Sequence, residues 1–445
     1  MTQTSDSATR LARVGLIAIL TVYVALATLQ SFATRLQWGP DEPGHIIYVR
    51  SLATDGRFPT LTHGEEENAY LPGAARTHES HQPPLYYVAA AVVWRAFSRL
   101  PEQTVTFADQ TGAEQRFLVP GAVRPVRLLS VAFGALALLL TWATARTVFP
   151  RRPELWLAGL ALTAFTPMFT YVNGVINNDS LLTVAFAATA WLWARMVRFG
   201  ATPKDVLLLG AIVGLAMNAK ETAVALVPLS VLALAVEPGA ASWRARVLHM
   251  AKVGAIAVAL SAWWFVRKWL IYGSPLVYPY VYPLLGLPPE QRAVLVYALP
   301  ERVFLFTFLP ADVVQRHMDL ALVSRLLLAL VVLTAGGLLL LLLRRRRVEF
   351  PRWESLALAL WLLTGLVVLL GLLRNVMTVD WRMGTSGGRY LVCVLPLLGL
   401  SSARGLSAFF GEGRWAKVGL AALAVAMLAL NVWTIWSTAA EYGTL

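Results

Sequence analysis

The constraint that most narrows the fold is the repetition of apolar runs long enough to cross a bilayer. They lie near 12–33, 124–149, 154–172, 178–198, 204–219, 221–236, 247–271, 321–343, 354–373, 387–409 and 417–437. A spanning helix needs about 20 mostly apolar residues, and in lipid each backbone polar group must be satisfied within the helix itself or a closed barrel. With 57% hydrophobic and 14% charged residues in a chain of 445, a water-soluble domain could not hide this much apolar surface. The sequence therefore predicts an all-α, polytopic protein of about eleven spanning helices, one transmembrane domain over 1–445. The fifth and sixth are short and separated only by Ala219-Lys220-Glu221. Residues 12–33 follow Arg10 and Arg13 like a signal sequence, with Ala25-Leu26-Ala27 resembling a cleavage site. Their length suits a span, and they are read as an uncleaved first helix.

The net charge of +13 does not indicate nucleic acid, because the basic residues sit in short clusters between the apolar runs. With a cytoplasmic N-terminus, the inside turns carry Arg151 and Arg152, Arg198 and Lys204, Arg244 and Arg246, Arg344 to Arg347, then Arg414 and Lys417. Every inside turn is then positive, which predicts a multi-pass protein of the plasma membrane, the inner membrane of a bacterium. Two long connections, 34–123 and 272–320, face the other side. The first is too long for an ordinary loop, and the Pro83-Pro84-Leu85-Tyr86-Tyr87 run within it predicts an interfacial helix. The second places Tyr272, Tyr278, Tyr280 and Tyr282 at headgroup level. The single cysteine, Cys393, lies in an apolar run, so neither an intrachain disulfide nor a thiolate metal cage is expected.

Chemistry-bearing residues gather on the outer side. Trp38-Gly39-Pro40-Asp41-Glu42-Pro43-Gly44-His45 sets two carboxylates and an imidazole at the membrane surface. Asp41 fits a general base for a hydroxyl acceptor; it also fits an ordinary helix cap. If the segment from Glu42 onward is helical, Glu42 and His45 share a face, with Asp41 at its N-cap end. His78-Glu79-Ser80-His81 is one residue short of zincin spacing and runs into Gln82-Pro83-Pro84, so a metalloprotease is not expected. A divalent ion on Glu42, His45 and His78 or His81 is a weaker alternative to polar loop residues. Asp179, in Asn177-Asn178-Asp179-Ser180, reads as a cap or a second acidic group. Lys220 reads as one half of an interfacial ion pair with Glu221, or as a cation for an anionic headgroup. Arg374, Arg382 and Arg389 run against the charge bias around Gly384-Thr385-Ser386-Gly387-Gly388-Arg389-Tyr390. A phosphate explains such arginines, and snorkelling to headgroups is the other reading.

The order of these pieces resembles the GT-C superfamily of integral-membrane glycosyltransferases, in its branch of aminoarabinose and protein-mannosyl transferases. The resemblance is carried by Asp41-Glu42 after the first helix, His81-Gln82-Pro83-Pro84-Leu85-Tyr86-Tyr87, Asn178-Asp179, the Lys220 turn and Gly388-Arg389-Tyr390. It implies an inverting transfer of sugar from a polyprenyl-phosphate donor, with Asp41 as catalytic base. Glu42, His45, His81 and Asp179 would support the acceptor side, and Arg389, Lys220 and Arg382 would hold the donor phosphate. No metal is required by this scheme. The sequence shows no large soluble C-terminal domain like those of the oligosaccharyltransferase and protein-mannosyltransferase branches, so a glycan or lipid acceptor is expected rather than a protein. The competing reading is a transporter or flippase for a polyprenyl-linked lipid, but transporters place charge near the midplane and show paired repeats. Here the charges collect at one face.

Overall fold

The computed structural model describes residues 2–60, 78–108, 114–240, 242–275, 301–344, 351–378, 387–410 and 413–444. Helices occupy all of the apolar runs: α1 (Thr2–Ala33), α4 (Val123–Val148), α5 (Pro153–Ala164), α6 (Pro167–Asn173), α7 (Asp179–Phe199), α8 (Pro203–Ala219), α9 (Leu226–Val236), α10 (Trp243–Tyr272), α12 (Leu320–Leu343), α13 (Arg352–Thr378), α14 (Leu395–Phe410) and α15 (Arg414–Tyr442). Among the described residues, eight are long and apolar enough to cross a membrane, and nine if the bent α5–α6 pair counts as one span. The remaining two of the expected eleven are α8, of 17 residues, and α9, of 11. Both are too short to reach that length alone, and a 3-10 turn at Glu221–Ala225 joins them.

The predicted third span is bent by 60°. The cause is Pro167, which pushes Thr166 out of helical geometry to ψ 122°, as the residue before a proline requires. A break inside a bundle strands backbone carbonyls that lipid cannot satisfy. Asn431 of α15 repairs it: its Nδ2 donates to the carbonyl of Phe165 at 3.1 Å, while its Oδ1 accepts from Thr170 Oγ1 at 3.0 Å. The whole of α6 is buried, with α1, α4 and α15 packed around it. By contrast α10, α12 and α15 turn Val258, Trp269, Leu270, Leu326, Val332, Val425 and Trp433 outward, an apolar outer surface suited to lipid.

The connection after α1 is structured. It contains α2 (Glu42–Arg50), continued by a π-turn to Asp55, then α3 (Leu85–Ala96) and a hairpin of β1 (Gln103–Ala108) with β2 (Glu114–Val119). The hairpin pairs Gln103 with Val119, and it departs from the purely helical expectation. Its β-branched Thr104, Val105 and Thr106 suit an extended chain. Leu36, Ile46, Tyr48, Tyr86, Tyr87, Trp94 and Val119 bury together against Val123, Val126 and Trp264. That cluster seats the connection on the ends of α4 and α10. In the second long connection, Tyr278, Tyr280 and Tyr282 lie outside the described residues; a helix α11 over 301–308 and a turn at Ala311–Val314 follow. The ends of α1 and α15 meet here, Thr444 Oγ1 donating to the carbonyl of Ala33 at 2.8 Å.

Candidate active site

Asp41 stands where the chain turns from α1 into α2. It occupies the N-cap position, and its carbonyl accepts from the His45 N–H at 3.1 Å. Its side chain makes no cap bond, and its backbone is left-handed at φ 55°. That conformation costs a non-glycine residue about 1 kcal/mol, although Asp tolerates it better than most. The carboxylate is instead aimed at Arg389, whose Nη2 donates to Asp41 Oδ2. The Asp41 side chain keeps 34% exposure, against 9% for Arg389. A partly exposed carboxylate held by a buried guanidinium is the central feature of the site.

Arg389 lies in a 3-10 turn at Gly387–Val394 that leads into α14. The turn runs tight against α11: a Cβ on Gly388 would sit 2.2 Å from the carbonyl of Val303 and 2.6 Å from the backbone of Phe306 and Thr307. The Tyr390 ring lies between two cations, 5.1 Å from the Arg389 guanidinium and 4.7 Å from Lys220 Nζ. Lys220 ends α8 and donates to Asp179 Oδ1 at 2.7 Å. Burial pulls the Lys220 ammonium down, but Asp179, Tyr390 and Glu79 together outweigh it and hold the group above the usual lysine value. Lys220 is therefore a permanent cation. Asp179 opens α7 and is 1% exposed. Its Oδ2, like Nε of Arg389, is buried without a hydrogen-bond partner among the described residues. Such atoms are costly unless a ligand or water satisfies them. The result is a row of two cations flanked by two carboxylates, Asp41, Arg389, Lys220 and Asp179, with a tyrosine between the cations.

Glu42 has a different setting from its neighbour. It is fully buried and accepts from Arg127 Nε and Nη2 at 2.7 and 2.6 Å, from the Ile176 N–H at 3.0 Å and from the Gly39 N–H at 3.2 Å. Arg127 in turn donates to the carbonyls of Ser31, Thr34 and Arg35 at 2.6, 2.7 and 2.9 Å. The pair closes the open end of α1 and ties it to α4 and to the segment before α7, fixing the turn that presents Asp41. Arg127 was missed by sequence reasoning, although an arginine in the first turn of an apolar span was a visible signal.

His45 Nδ1 lies 2.9 Å from Tyr87 Oη and 3.8 Å from Glu79. Tyr87 stacks on Tyr48 with ring centroids 3.8 Å apart, and Tyr48 Oη donates to the carbonyl of Gln82 at 3.2 Å. Burial pushes the Tyr87 and Tyr48 hydroxyls well above the ordinary tyrosine value, so both stay neutral. His81 is buried, its carbonyl accepting from Trp264 Nε1 at 3.3 Å. Asn178 Nδ2 donates to the carbonyl of Ala219 at 3.2 Å and reaches Gln82 Oε1 at 3.4 Å, linking this wall to the Asp179–Lys220 side.

The structure thus brings together Asp41, Arg389, Lys220 and Asp179, and sets His45 and His81 in the packed wall beside them. Arg382 and the side chain of His78 lie outside the described residues. Lys220 pairs with Asp179 rather than with Glu221, which is held by Lys268 of α10. Among the described residues, three or more His, Cys, Asp or Glu side chains do not converge as a metal set, and both Glu42 oxygens are already engaged by Arg127.

Residues 119–265 match the family model described as dolichyl-phosphate-mannose-protein mannosyltransferase. No curated protein matches the chain by sequence. Among solved structures, ArnT from Cupriavidus metallidurans bound to undecaprenyl phosphate aligns at 14% identity and TM-score 0.51, covering 96% of this chain and 74% of that one. The oligosaccharyltransferase of Archaeoglobus fulgidus, tethered to an acceptor peptide, aligns at 14% identity and TM-score 0.52. The match covers 97% of this chain but only 55% of the oligosaccharyltransferase. At such identities the shared property is the fold, which extends over almost the entire chain. The chain therefore shares its fold with these two membrane proteins over nearly its whole length, and residues 119–265 resemble the mannosyltransferase family.

Proposed function

We propose that the chain transfers a sugar from a polyprenyl-phosphate donor to a hydroxyl of a glycan or lipid acceptor, with inversion, at the extracytoplasmic face of the plasma membrane. The observation that carries this reading is the Asp41–Arg389 pair beside Tyr390, Lys220 and Asp179. Asp41 takes the proton of the acceptor hydroxyl as its oxygen attacks the anomeric carbon. The bond from that carbon to the phosphate oxygen breaks, and the electron pair leaves with the lipid phosphate. A phosphate departs as an anion and needs no proton, so a second carboxylic acid of the glycosidase kind is not required. Cations are required, and Arg389 with Lys220 supplies them in a site largely shielded from water. The undecaprenyl phosphate bound by the Cupriavidus protein supports a lipid phosphate as the donor's leaving group.

Ligand and base compete for one guanidinium. A donor phosphate engaging Arg389, bidentate in the usual arginine geometry, loosens its hold on Asp41 and makes that carboxylate a stronger base. The base is thereby exposed when donor is present and neutralised by its partner when donor is absent. The opposite end of the bundle carries Arg151, Arg152, Lys204, Arg244 and Arg246, and the positive-inside bias supports an outer location for Asp41. The test is reconstitution with labelled polyprenyl-phosphate sugars and a mixture of glycan and lipid acceptors. Cleavage of the sugar–phosphate bond with appearance of labelled product supports the transferase. Movement of intact donor across the bilayer without cleavage would instead establish a transporter.

A further inference from the structure

At the end of the bundle opposite Asp41, a cleft of about 470 Å³ opens between the last turns of α4 and α7, with the start of α5 as its third wall. It lies roughly 30 Å from Asp179, the length of α7, and is separate from the active site. Arg146, Thr147, Trp156, Trp191, Arg198 and Phe199 line it. The Arg146 guanidinium sits 5.8 Å from the Trp156 ring. That of Arg198 sits 4.7 Å from Phe199 and donates from Nη1 to the carbonyl of Thr147 at 2.5 Å. Neighbouring charges are matched, Arg152 with Glu154, Arg195 with Asp205 and Arg404 with Glu354. Arg146 and Arg198 have no carboxylate partner among the described residues.

The surface leading into the cleft is apolar. Leu136 and Leu139 are both exposed, and with Ala143 and Arg146 they fall at spacings of three and four on α4, hence on one helix face. An acyl chain lying along that stripe would bring its phosphate up between the two guanidiniums, at the aromatic depth where Trp156 and Trp191 mark the interface. We propose that this cleft binds the phosphate of an anionic phospholipid, as basic pockets between spanning helices do in general. The inference is independent of the transfer reaction.

The test is native mass spectrometry of the purified protein with phosphatidylglycerol, phosphatidylcholine or inorganic phosphate. Wild type should retain phosphatidylglycerol at least tenfold more strongly than phosphatidylcholine. Loss of charge should weaken retention roughly fivefold per cation, so about 25-fold in the Arg146→Gln/Arg198→Gln double variant. Arg146→Gln alone, at an exposed side chain, should show the fivefold step. The double arginine-to-lysine variant should keep most of the binding. Equal retention of the two lipids, or unchanged retention in the double glutamine variant, would overturn the proposal. Inorganic phosphate displacing phosphatidylglycerol at millimolar concentration would assign the cleft to free phosphate and overturn the lipid assignment.

Discussion

At the residue level, two adjacent carboxylates have been given separate tasks by their surroundings. Asp41 is partly exposed and pairs with Arg389, whereas Glu42 accepts four hydrogen bonds in a closed interior. Asp41→Asn should therefore fold normally and lose about 10²–10⁴ in transfer rate, the usual contribution of a positioned base, with kcat falling and donor affinity unchanged or improved. Steady-state kinetics beside donor-binding isotherms would show the split. Arg127→Met should act on stability instead. It leaves the Glu42 carboxylate buried without its partner, a loss of about 3–5 kcal/mol, readable as a drop in the thermal midpoint. The sequence made Asp41, Asp179, Lys220 and Arg389 visible, because charge is rare and conspicuous beside apolar runs. It could not reveal that Glu42 faces inward, since neighbours on a helix start differ by only about 100° in direction, and the choice between them is made by Arg127 on a distant helix.

At the level of elements, breaks in helices do more than the helices themselves to build the site. The ends at Asp41, Asp179, Lys220 and Gly388 converge because spans stop there, which frees polar groups to point at one another. Gly388→Ala would drive a methyl into the backbone of α11 and displace the turn carrying Arg389. The expected result is weaker donor binding in a protein that still crosses the membrane, checked by donor titration and gel filtration of the same sample. The bend at Thr166–Pro167 rests on Asn431, and Asn431→Leu should cost about 0.6–1.7 kcal/mol, the range for hydrogen bonds between spanning helices, in a steric-trap or thermal unfolding measurement. Periodicity identified the helices but not the bend, although Pro167 announced it. The β-hairpin was missed because Thr104–Thr106 is a short β-branched stretch within a connection read through its prolines and apolar runs.

For the molecule as a whole, charge is sorted by end. One end carries the row of Asp41, Arg389, Lys220 and Asp179, and the other carries the arginines of the short turns together with the Arg146–Arg198 cleft. Cys393 is the only cysteine and is buried, so Cys393→Ser gives a background for single-cysteine labelling. A cysteine placed at Trp38 should react with an impermeant thiol reagent from outside intact cells, and one placed at Arg151 only after permeabilisation. The reverse pattern would put the active site in the cytoplasm. The central claim, that Asp41 is the base unmasked by a lipid phosphate on Arg389, is tested most directly by one single-turnover measurement. Wild type and Asp41→Asn are each saturated with labelled polyprenyl-phosphate sugar in nanodiscs, binding is quantified, and acceptor is then added. Equal donor occupancy with rapid product formation by wild type alone is the predicted result. Product formation by Asp41→Asn at the wild-type rate would contradict it and move the base to another group.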